Sequence, residues 1–66
     1  MEIKKIRSYI SDIEDAINDE ESPRYIVFDN QEDAEQYDEI LISILDQLGY
    51  SAEVAVDNDD FYRLYF

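Results

Sequence analysis

Apolar residues at Ile3, Ile6, Ile10, Ile13 and Ile17 recur at steps of three and four, which predicts an amphipathic helix from about residue 2 to about residue 20. Isoleucine is a middling helix former, so burial of this stripe has to hold the helix. Ser22-Pro23 ends it, because the residue before a proline is pushed out of the helical region. Arg24–Phe28 is β-branched and aromatic, with apolar groups on both faces, and reads as a short strand. A second helix opens at Asp29-Asn30. With Asp29 as N-cap, Glu32 stands at N3 in capping-box spacing; Asn30 is the competing cap. Ala34, Tyr37, Leu41, Ile44, Leu45 and Leu48 share one face, Ile40 and Ile42 flank it, and Gly49 supplies a left-handed terminator. From Tyr50 to Val56 the pattern alternates, with Tyr50, Ala52, Val54 and Val56 on one side and Ser51, Glu53 and Ala55 on the other. Asp57-Asn58-Asp59-Asp60 forms a turn, and Phe61–Phe66 returns as a strand.

The order α-β-α-β-β predicts one small α+β domain over residues 1–66, in two layers, with both helices on one face of a three-stranded, mainly antiparallel sheet. Phe61–Phe66 is apolar on both faces, which places it centrally and gives the strand order 1-3-2.

Size narrows the functional classes. A chain of 66 residues buries only about 60% of its unfolded surface and has no room for a deep substrate cavity walled by its own residues. At 45% hydrophobic and 14% aromatic it is richer in core formers than an acidic disordered tail, so it folds. Five Lys+Arg against 18 Asp+Glu give a formal net charge of -13, which repels nucleic acid and anionic membranes and attracts basic surfaces. The chain has no cysteine and no histidine, so it lacks disulfides, thiolates and the commonest general base and transition-metal ligand. No apolar run approaches a membrane span, and Met1-Glu2-Ile3-Lys4-Lys5 leads into an amphipathic pattern unlike a signal peptide. The expectation is a soluble, cytoplasmic protein that is not an enzyme and needs no cofactor or metal.

The acids are ordered as well as numerous. On the first helix Asp12, Asp15 and Asp19 fall in a narrow sector opposite the isoleucines; on the second, Glu32, Glu35 and Glu39 do the same opposite Leu41 and Leu45, and Asp46 extends that row. Both rows have the spacing acid-x-x-acid-x-x-x-acid, about one charge per 5 Å of helix axis, which is of the same order as the phosphate spacing along one DNA strand. Neighbouring like charges cost something like 0.2–0.5 kcal/mol per pair, and no Lys or Arg lies in either row to offset them. Lys4, Lys5 and Arg7 cluster near the N-terminus, while Arg24 and Arg63 belong to the sheet. Any amphipathic helix sets its polar residues opposite its apolar ones, so a solvated surface explains the geometry alone; the bias of sign is what points to a cationic partner.

Other chemistry reads more weakly. Asp57-Asn58-Asp59-Asp60 has the D-x-[DN] start of a calcium loop, but Tyr62 stands where that loop needs glycine, and a hairpin turn accounts for the same residues. Paired carboxylates work as acid and base only when a pocket splits their pKa values, and none is predicted. Six tyrosines invite base stacking, which needs a basic groove this chain lacks. Alternation does set Phe61, Arg63 and Tyr65 together on the sheet face away from the helices, an alternative partner-binding patch.

In bulk character and in its rows Asp12/Asp15/Asp19 and Glu32/Glu35/Glu39, the chain resembles the small acidic DNA-mimic inhibitors of phages, including anti-CRISPR and anti-restriction proteins and the uracil-DNA glycosylase inhibitors. The resemblance is one of class and carries no family signature. It implies an inhibitor without an active site, a monomer or homodimer, whose carboxylates occupy the basic surface of a nucleic-acid-binding protein without touching nucleic acid. The competing expectation is an adaptor or immunity-type module that binds through its sheet, anchored by Phe61, Arg63 and Tyr65.

Overall fold

A computed structural model describes residues 2–66, in which α1 (Ile3–Asn18), β1 (Tyr25–Val27), α2 (Gln31–Gln47), β2 (Glu53–Val56) and β3 (Tyr62–Tyr65) follow one another. The fold is α+β, with an antiparallel sheet in the order β1-β3-β2. The central place of β3 follows from Leu64, which opposes Ile26 on one side and Val54 on the other and is fully buried. Both helices pack on the face that carries Ile26 and Leu64. Strand alternation sends Tyr25, Val27, Arg63 and Tyr65 to the opposite face, which no helix covers.

The apolar stripe of α1 is centred elsewhere than the isoleucine spacing predicts. Tyr9, Ile13 and Ala16 are buried, Ile6, Ile10 and Ile17 flank them, and Ile3 is 68% exposed. The tyrosine ring carries the packing: it meets Phe28 edge-on at 5.2 Å between centroids and Tyr37 at 5.9 Å. On α2 the expected face holds at Ala34, Tyr37, Leu41 and Leu45, all buried, whereas Leu48 is 63% exposed because the helix ends there. Val56 likewise leaves the core, as the last residue of β2 before the turn.

The N-cap of α2 is Asn30 and not Asp29. The Asn30 side chain accepts from the Asp33 N–H at 2.8 Å, while Asp29 is held outside the helix by donating its own N–H to the Tyr9 hydroxyl at 3.1 Å. At the other end Gly49 has φ +91°, and the bonds Gly49 N–H to Asp46 O and Tyr50 N–H to Leu45 O make a Schellman motif that turns the chain toward β2. A Cβ on Gly49 would meet nothing within 4 Å, so the glycine is required by its backbone angle alone. Gly49→Ala is therefore expected to cost about 1–2 kcal/mol without repacking, which urea unfolding would measure. The β2–β3 connection runs from Asp57 to Phe61 and is closed by Asp57 N–H to Phe61 O and Asp60 N–H to Asp57 O, with Asp60 at φ 64°.

Candidate functional site

One acid lies apart from the rest. Asp33, on the first turn of α2, is 4% exposed and accepts from the Lys5 ammonium at 2.9 and 3.1 Å and from the Tyr9 hydroxyl at 2.7 Å. The Lys5 bond, then the Tyr9 bond, hold its carboxyl below the usual aspartate range. Burial, chiefly, pushes the Tyr9 hydroxyl well above the tyrosine range. This network ties the start of α1 to the start of α2, and a second bond, Glu2 N–H to the Tyr37 hydroxyl at 3.1 Å, reinforces it. The sequence reading missed the network. Its signals were an acid directly beside Ala34 on the apolar side of α2, and a tyrosine at helical spacing from Ile6 and Ile13.

The turn acids are committed as well. Asp59 grips the Arg63 guanidinium as a fork at 3.1 and 2.9 Å, and Asp57 bonds the same guanidinium and accepts from the Tyr65 hydroxyl at 2.8 Å. Arg63 also lies 5.4 Å from the Tyr25 ring centre and 5.9 Å from that of Phe61. Its bond to Asp59 raises the Arg63 pKa and lowers that of Asp59; the Asp57 bond raises that of Tyr65. Phe61, Arg63 and Tyr65 do share the outer sheet face, with Phe61 51% exposed, but the cation is already clamped.

The row acids contrast with these. Asp12 and Asp15 are exposed on α1, and Glu32, Glu35, Glu39 and Asp46 are exposed along α2. Asp19 stands at the C-cap of α1 in extended conformation, where one carboxylate oxygen accepts from the Glu21 N–H at 3.0 Å and the other from the Ser22 hydroxyl at 2.9 Å. Glu20 and Glu21 follow it outside the helix. Among the described residues the ion pairs are Lys5–Asp33, Arg63–Asp57 and Arg63–Asp59, and none reaches a row acid. Partial desolvation, then the charges of Asp15 and Asp29, push the carboxyl of the largely exposed Asp12 up.

The elements thus define a small two-layer α+β domain with anionic outer helix faces and one open sheet face. Comparison with protein-family models, curated proteins and solved structures returned no match. Among the described residues, no helix is long and apolar enough to cross a membrane.

Proposed function

We propose that the chain is a small acidic inhibitor whose helix rows stand in for nucleic-acid phosphates and occupy the basic cleft of a nucleic-acid-binding enzyme. The observation that carries this reading is the allocation of cations: among the described residues Lys5 and Arg63 pair with Asp33, Asp57 and Asp59, and no ion pair reaches the exposed acids of α1 and α2. Each Arg or Lys of a target engaged by one of these carboxylates is lost to a phosphate, so inhibition is competitive with nucleic acid.

Affinity capture from a host lysate, followed by challenge with duplex DNA, tests the reading. A captured nuclease or polymerase is expected to leave the protein when DNA is added, and again when ionic strength rises from about 0.1 to about 1 M, which shortens the Debye length from about 10 to about 3 Å. A partner retained under both challenges overturns it.

A second reading has its own support in the uncovered sheet face, where Tyr25, Phe61 and Tyr65 surround a prepaired Arg63. If that face is the main contact, Phe61→Ala should weaken partner binding by about tenfold or more while charge changes on α2 leave it unchanged.

A further inference from the structure

The sheet ends on β1 with its outer edge open. Phe28 N–H donates to Tyr62 O and Phe66 N–H to Arg24 O, so by antiparallel alternation the residues between them, Tyr25 and Val27, turn their N–H and C=O groups away from β3. Beside this edge runs a groove of about 320 Å³ between α1 and β1, with Asp12, Asp15 and Ala16 on the helix side and Pro23 at its end. An edge strand left in this state is a template for another strand.

We propose that the β1 edge takes up an extended basic segment of a partner protein, pairing with Tyr25 and Val27 and placing a lysine or arginine between Asp12 and Asp15. Pleating fixes the pattern. Partner residues opposite Tyr25 and Val27 lie on the outer sheet face, beside those side chains, and are apolar. The residue between them, level with Ile26, points to the helix side, where the two aspartates line the groove and have no cation of their own among the described residues. Its aliphatic stem passes Ala16 while its charge reaches the carboxylates. The recognised segment is apolar-basic-apolar in extended form. A second copy of this chain fits poorly: its own edge would set Asp12 and Asp15 against their like.

This inference rests on reading Asp12 and Asp15 as contact acids, and the test separates the two. The probe is a blocked pentapeptide, Val-Lys-Val-Lys-Val, with Val-Glu-Val-Glu-Val as control, added to isotope-labelled protein and followed by amide shifts and hydrogen exchange. The lysine peptide is expected to shift and protect the Tyr25 and Val27 amides, and the glutamate peptide to do neither. Asp12→Asn with Asp15→Asn should weaken binding roughly tenfold or more. Val27→Pro removes an outward N–H while leaving the β1–β3 bonds intact, so circular dichroism should report a folded chain that no longer binds. If Val27→Pro binds as well as wild type while the asparagine variant does not, strand addition is wrong and the charge reading survives. If neither variant changes binding, or the shifts fall only on α2, both fail at this edge. Dimerisation of the free protein through β1 would also overturn the proposal.

Discussion

Asp33→Ala is expected to lower the free energy of unfolding by about 2–3 kcal/mol, because it strips a buried hydroxyl, that of Tyr9, of its acceptor and releases the link between the helices. For a 66-residue chain, whose total stability is roughly 3–10 kcal/mol, that is a large fraction. Urea unfolding measures it, and a change below about 0.5 kcal/mol would show that the network adds nothing, as at an ordinary surface position. The same group sets an acid limb. The Asp33 pKa is depressed in the folded state, so its stabilisation is complete above the unfolded aspartate value near 4 and is lost as pH falls through the lower folded value. Asp12 acts in the opposite sense: its folded pKa is raised, so protonation favours the folded state as pH falls through that value. The two groups thus contribute in opposite senses on acidification, and Asp33→Asn should flatten the loss due to Asp33 at low pH in urea unfolding. On the alkaline side, the raised Tyr9 pKa makes stability fall as pH climbs above the unfolded tyrosine value near 10, a loss that Tyr9→Phe should reduce.

Glu35→Lys with Glu39→Lys is expected to slow association with a captured basic partner by about tenfold or more at low salt, with the fold intact. Both residues are exposed on α2, outside the core and outside every ion pair among the described residues. Reversal also relieves like-charge neighbours, worth about 0.2–0.5 kcal/mol per pair, so unfolding should be unchanged or slightly harder. Stopped-flow association and urea unfolding together separate a lost contact from a lost fold. An unchanged association rate would remove α2 from the contact surface.

The architecture was legible because the periodicities were clean. Leu41 and Leu45 sit where a helical period puts them, and the last strand, apolar on both faces, lies between the other two as its pattern favoured. What escaped the reading depends on partners distant in sequence. Tyr9 becomes the centre of the α1 stripe only because Phe28, Tyr37 and Asp33 converge on it, and pattern reading favoured the isoleucines on either side. The Asp33 carboxylate is tolerated in the interior because Lys5 reaches it across the helix pair, a contact that no single window contains. Arg63 was placed on the correct face by alternation, but its clamp needs the turn to fold Asp57 and Asp59 back over it. The row acids were legible as positions. The absence of Lys and Arg from the rows was legible too; that Lys5 and Arg63 are taken up by Asp33, Asp57 and Asp59 became visible only once the ion pairs were known.

The place of β3 between its neighbours also orders events during synthesis. Tyr25–Val27 is made before Tyr62–Tyr65, its one ladder mate among the described residues, and β2 waits for the same segment. Until then neither β1 nor β2 has a ladder, and the two amphipathic helices lack the complete sheet that buries their apolar faces. Both ladders depend on this one segment, so a chain stopped before Tyr62 should have no sheet at all.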